Sequence, residues 1–167
     1  MPKLAPQEVR TFFISTVTWG RRSIFQTDRM ALLLIDVMRE NVAKGRMSIH
    51  EFVVMRDHIH VILTPAPDRS LEKCVQFIKG GFSFRAKKEL RFNGEIWQER
   101  PKEHRIVEAR DYEQHREYVI ANPVKAGYVS SPEEWQWSSV HRQEWLAPAP
   151  EHLRGSSPIS KAASSPA

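Results

Sequence analysis

The sequence predicts an α+β fold, a ferredoxin-like antiparallel sheet with helices packed on one face. Three observations carry this. The segments run strand, helix, two strands, helix, short strand, helix, with no internal repeat. Met30, Leu33, Leu34, Val37, Met38 and Val42 recur with helical period. The apolar run from Phe52 to Leu63 is broken by the polar pair Arg56-Asp57, as expected of two strands joined by a tight turn.

Residues 11–19 are rich in β-branched and aromatic types and read as the first strand, closed by Gly20-Arg21-Arg22-Ser23. Asp28 is the expected cap of the first helix, and Gly45 its expected end. Residues 48–56 and 58–64 give the paired strands, ended by Pro65-Ala66-Pro67. Asp68 or Ser70 caps a second helix through Leu71, Val75 and Ile78. Gly80-Gly81 interrupts or kinks it, since each glycine costs about 1 kcal/mol in a helix interior. That break implies either two successive helices or close approach of a ligand backbone. Residues 104–108 read as a short strand, and Asp111 as the cap of a third helix from Tyr112 to about Ala121, stopped by Pro123. Trp135, Trp137 and Trp145 are expected to pack the last ordered turn onto the body. Residues 1–148 form one domain, and 149–167, rich in Pro, Ser and Ala, a disordered tail.

The chain has 167 residues, enough for one domain with a sizeable core. No window has the about 18 apolar residues of a membrane span, and the first residues lack an apolar signal core. The expectation is a cytoplasmic, nucleoid-associated protein without a membrane partner. Cys74 is the single cysteine, which excludes an intrachain disulfide and a thiolate metal cluster. Its helical spacing marks it as a packing thiol rather than a nucleophile.

Net charge is +5 and the pI about 9.6, a balance that favours a polyanion. Lys79, Arg85, Lys87, Lys88 and Arg91 crowd one stretch, interleaved with Phe77, Phe82, Phe84 and Phe92. This suits a surface for single-stranded nucleic acid, with cations on phosphates and rings on bases, and equally an amphipathic helix with apolar rings inside and a solvated basic face; the two are compatible. Lys79, Arg85, Lys87 and Lys88 are therefore candidate DNA contacts.

His58 and His60 flank Ile59 in a strand, so both imidazoles point to one face. Two imidazoles on a rigid strand make half of a metal site, or simply two partly buried histidines. Tyr118 and Asn122 stand four residues apart, on one face of the third helix. If that face meets the histidine strand, Asn122 can offer a carbonyl oxygen to the same cation and Tyr118 a hydroxyl to whatever the cation holds. Such parts suit phosphodiester cleavage, with the cation as Lewis acid and the phenol as nucleophile. Taken singly, Tyr118 reads as an aromatic packed in a helix stripe, with Tyr112 and Val119 as equally plausible core residues, and Asn122 as an ordinary helix stop before Pro123.

Tyr118-Val119-Ile120-Ala121-Asn122-Pro123-Val124-Lys125-Ala126-Gly127, preceded by Asp111-Tyr112 and followed by Trp135-Gln136-Trp137-Ser138-Ser139, resembles the C-terminal signature of the REP-associated tyrosine transposases, single-tyrosine HUH enzymes. Residues 54–60, the basic stretch 79–91 and Trp97-Gln98 fall in family order, and the resemblance spans about 11–141. Arg56 stands where many relatives carry proline. The resemblance implies that His58, His60 and Asn122 hold a divalent ion, Mg2+ or Mn2+, and that Tyr118 cleaves single-stranded or hairpin DNA. The implied products are a 5′-phosphotyrosine and a free 3′-hydroxyl near a repetitive extragenic palindrome. Arg21 and Arg22 lie in a further segment similar to the family and join the candidate DNA contacts. Whether the protein is a monomer or a homodimer stays open. A domesticated hairpin-binding protein that does not cut is the second reading. A two-histidine RNA phosphodiesterase would need a second His-x-Thr/Ser motif, which His115-Arg116-Glu117 and His141-Arg142-Gln143 do not provide.

Overall fold

The computed structural model describes residues 9–155. Four strands, β1 (Thr11–Val17), β2 (Met47–Val54), β3 (His58–Pro65) and β4 (Lys102–Ile106), form one sheet in the order β2-β3-β1-β4. Every pairing is antiparallel. With α1 (Asp28–Ala43) after β1 and α2 (Leu71–Leu90) after β3, this is the ferredoxin-like βαββαβ arrangement that the sequence predicts. A further helix, α3 (Ala109–Lys125), follows β4.

Strand alternation gives the sheet two apolar faces. Ile14, Ile49, Phe52, Ile59, Val61 and Leu63 join the buried residues of α1 and α2 in the larger core. Val53, Ile62 and Ile106 point the other way and pack with Tyr112 and Val119 of α3. The expectation of helices on one face therefore holds for α1 and α2 and not for α3. The apolar half of the second sheet face has to be covered, and α3 covers it.

Three local expectations change in the same way. Helix α2 runs unbroken through Gly80 and Gly81. A Cβ on Gly81 would lie 3.0 Å from Val37 Cγ1, so the glycine serves close approach of α1, whereas Gly80 faces open space. Gly80→Ala should therefore raise stability by about 0.5–1 kcal/mol in urea unfolding, and Gly81→Ala should give no gain. Helix α3 likewise continues past Pro123, which is buried, to Lys125. The lost backbone bond is offset by packing, and Asn122 is not a stop. Asp28 is the first helical residue rather than the cap, which is Thr27. Ser70 does cap α2, its side chain accepting from the Lys73 amide.

The tryptophans pack as expected. Trp135 donates from Nε1 to the Val54 carbonyl at 3.0 Å, Trp145 stacks on Phe52 at 5.6 Å, and Trp137 packs against the larger core. The expected tail begins too early, because Leu153 is buried beside α3. Residues 156–167 of that expectation lie outside the described residues. Cys74 is wholly buried, and burial pushes its thiol up to about 11, in keeping with a packing role. Among the described residues no helix is long and apolar enough to cross a membrane.

Candidate active site

On the α3 side of the sheet, Phe13, Ser15 and Val17 of β1 stand opposite Ile62, His60 and His58 of β3. These side chains share a face because each register pair projects to the same side of a pleated sheet. Phe13, Ser15, Val17, His58 and His60 line, together with Tyr118, a cleft of about 580 Å³ that also takes in Arg21, Gln98, Lys102, Gln114 and His115.

The turn between β2 and β3 sets up His58. Met55 closes it by donating to the His58 carbonyl at 2.8 Å, and Arg56, at the position where proline is expected, lays its guanidinium over Tyr128 at 4.1 Å. Asp57 Oδ1 accepts from His58 Nδ1 at 2.6 Å. In the neutral ring this hydrogen bond holds the proton on Nδ1 and leaves the Nε2 lone pair available. Burial would raise the Asp57 carboxyl, but its hydrogen bonds with His58 and Arg21 hold it below the ordinary carboxylate value. Arg21 donates to Asp57 Oδ2 at 3.2 Å from a backbone in the left-handed region, φ 52°. A non-glycine residue there costs about 1 kcal/mol, which suits a position held for its side chain.

His60 sits deeper, 5% exposed. It stacks on Phe13 at 5.4 Å, meets Tyr118 edge-on at 5.3 Å and lies 4.8 Å from His58 between ring centroids. Among the described residues neither of its ring nitrogens has a hydrogen-bond partner. Burial, with His58 adding to it, lowers its pKa to about 3, so the ring is neutral at physiological pH. A buried polar group without a partner is costly, and an imidazole with a free lone pair is a ligand in waiting. The donor set therefore fits a divalent ion.

Tyr118 is 42% exposed at the cleft, while Tyr112 is 4% exposed in the core. Burial, reinforced by Glu51, raises the Tyr112 phenol well above its ordinary value. Asn122 is buried one turn beyond Tyr118 and is not among the residues lining the cleft. Helix α3 packs on the sheet and brings the Tyr118 ring to His60.

The basic stretch does not join this site. The apolar stripe of α2 faces the larger core, on the opposite side of the sheet. Arg85 is held by Asp36, Glu40 and Glu89, at 2.6, 2.6 and 2.5 Å, and this neutralisation removes it from the candidate phosphate contacts. Phe82 is wholly buried, so it offers no ring to a base. Lys79 donates to the Gln98 carbonyl at 2.9 Å, and burial lowers its pKa. Lys87 and Lys88 are exposed, with Lys88 over the ring of exposed Phe84. The stretch is an amphipathic helix, and Lys87 and Lys88 lie on its exposed face. Of the arginines, Arg21 reaches the cleft, while Arg22 donates to the carbonyls of Trp19 and Glu95.

Residue-level reading of the sequence missed Phe13, Ser15, Lys102 and His115 as cleft residues, and Asp57 as the partner of His58. Phe13 and Ser15 share strand parity, but nothing local says that β1 pairs with β3 at this register. Asp57 was legible from its place beside the histidine triplet.

A family model described as "Transposase IS200 like" matches residues 11–122. The REP-associated tyrosine transposase of Escherichia coli (strain K12) is 32% identical over 146 residues, 81% of this chain and 83% of that protein. A putative REP-associated tyrosine transposase of Haemophilus influenzae is 35% identical over 99 residues, 53% of this chain and 56% of that protein. Among solved structures, a REP-associated tyrosine transposase bound to a REP hairpin is similar with a TM-score of 0.69 at 28% identity, covering 94% of this chain and 96% of that one. A putative transposase from Deinococcus radiodurans R1, 20% identical with a TM-score of 0.52 over 71% of this chain and 95% of that one, shares the fold.

Proposed function

Because the chain belongs to the IS200-like transposase family, we propose that it cleaves and rejoins single-stranded or hairpin DNA through Tyr118. The observation that carries this reading is the buried, unpartnered imidazole of His60 lying against the exposed Tyr118 ring in a cleft rimmed by Arg21 and Lys102. Packing alone gives no reason to bury two unsatisfied ring nitrogens beside a half-exposed phenol.

His58 and His60 would hold a divalent ion, with Asn122 as the third ligand by its place in the family signature. Bound there, Mg2+ or Mn2+ supplies Lewis acidity to a non-bridging phosphate oxygen. Asp57 keeps His58 in the ligating tautomer and orientation. Arg21 and Lys102 attract the phosphate backbone to the cleft, where His60 stays neutral and adds no competing charge. The Tyr118 oxygen, after loss of its proton to solvent, bonds to phosphorus while the bond from phosphorus to the 3′ oxygen breaks. That oxygen takes up a proton and leaves as a 3′-hydroxyl, and the 5′ phosphate remains on Tyr118. The reverse attack by a 3′-hydroxyl rejoins the strand and frees the phenol. A hairpin formed by a repetitive extragenic palindrome is the substrate class, by analogy with the REP hairpin of the structural relative.

The full chain mixed with hairpin oligonucleotides from its host's repeated palindromes and Mn2+ should give a covalent protein–DNA adduct on denaturing gels. Chelator should abolish the adduct, and fully duplex DNA of the same sequence should give none. Binding that persists in chelator, with no adduct from any repeat tested, would favour hairpin binding without cleavage.

A further inference from the structure

We infer that His104, Asp111 and His115 form a second divalent-metal site, suited to Zn2+ or Co2+, that ties β4 to α3. This site shares no ligand with the His58/His60 pair and does not depend on the proposed cleavage.

His104 lies on β4 opposite Phe13, so its side chain points toward α3. Asp111 and His115, four residues apart in the first turns of α3, share one face of the helix. His104 Nε2 lies 2.6 Å from Asp111 Oδ2, and His115 Nδ1 lies 2.9 Å from Asp111 Oδ1. One ligand atom from each of the three residues can be chosen so that all lie within 4.8 Å of one another. The two imidazoles stack at 4.7 Å with 19° between planes, so both present their inner nitrogens to the same carboxylate.

Two neutral imidazoles and one carboxylate are the donor set of many zinc and cobalt sites, which accept fewer ligands and softer nitrogen donors than Mg2+. The residues are between a quarter and a half exposed, which leaves water free to complete the coordination sphere. Binding requires a tautomer shift and no redox partner. The proton leaves His104 Nε2 for its Nδ1 and His115 Nδ1 for its Nε2, and the ion takes the vacated lone pairs. His115 also donates to the Asp111 carbonyl at 2.9 Å, a bond that the shift exchanges for the metal bond.

The location gives the site a consequence. The Phe13 ring lies 4.8 Å from His115 and 5.4 Å from His60, so a single phenylalanine separates the two histidine groups. An ion held here would fasten the edge strand β4 to the helix that presents Tyr118 one turn later, and would add positive charge to the cleft wall.

Equilibrium dialysis of the full chain carrying H58A and H60A, with Zn2+ or Co2+ alone, tests the site. One tightly bound ion per chain is expected, with tetrahedral-type Co2+ absorption and a melting temperature raised by about 5 °C at saturation. Adding H104A should remove the ion and the shift. In the otherwise unaltered chain, H104A should lower the bound stoichiometry by one, which covers the case in which the multiple variant does not fold. Equal stoichiometry with and without H104A, or binding only at millimolar ion, overturns the inference.

Discussion

Tyr118→Phe should reduce covalent adduct formation by at least about 10³-fold, while hairpin binding and folding stability stay close to those of the parent protein. The hydroxyl lies on a ring 42% exposed at the cleft, so its loss leaves no buried group unsatisfied and changes stability by no more than about 0.5 kcal/mol. The proposed chemistry depends on it because, among the described residues, no other phenol lines the cleft. Tyr112→Phe is the matched control. That ring is buried beside His50 at 6.2 Å, and its phenol is held protonated by burial, which makes it a core residue and a poor nucleophile. Adduct formation should survive Tyr112→Phe. If the adduct persists in Tyr118→Phe and disappears in Tyr112→Phe, the assignment of the nucleophile is wrong.

His60→Leu should have opposite effects on stability and activity. Leucine removes two buried nitrogens that have no partner among the described residues, and their desolvation costs about 1–3 kcal/mol in the metal-free protein. The apolar side chain has Phe13 and the Tyr118 ring to pack against. The variant should therefore be more stable by about 1–3 kcal/mol in urea unfolding without metal. Adduct formation should fall by at least about 100-fold, through loss of a ligand. Destabilisation would mean that the imidazole makes a compensating interaction in the folded protein. A gain in stability with full activity would remove His60 from the proposed chemistry. A residue that weakens the fold and is retained at a cleft is the signature of a functional position.

Much of the site was legible in one dimension, and the reason is steric. Alternation along a strand places His58 and His60 on one face whatever the sheet does, and a helical step of four places Tyr118 and Asn122 on one face whatever α3 packs against. Other elements misled because a local cost was outweighed at long range. Gly80-Gly81 and Pro123 read as interruptions by their intrinsic propensities, yet α2 and α3 pass through them. At Gly81 the compensating term is contact with Val37, and at Pro123 it is burial, and neither has a sequence signal. Arg85 misled for a related reason, since the carboxylates that neutralise it include Asp36 and Glu40 on a helix more than forty residues away.

What the sequence by itself determined is the succession of elements, the two residue pairs and the family signature, all set by short-range periodicity and spacing. Only the tertiary structure decided that α3 crosses to the sheet face opposite α1 and α2. Both sheet faces carry apolar residues, so either could receive a helix. The choice follows from the fit of Tyr112 and Val119 against Val53, Ile62 and Ile106. That packing places Tyr118 over His60, leaves the basic stretch on the far side, and gathers His104, Asp111 and His115 at the edge of the same cleft.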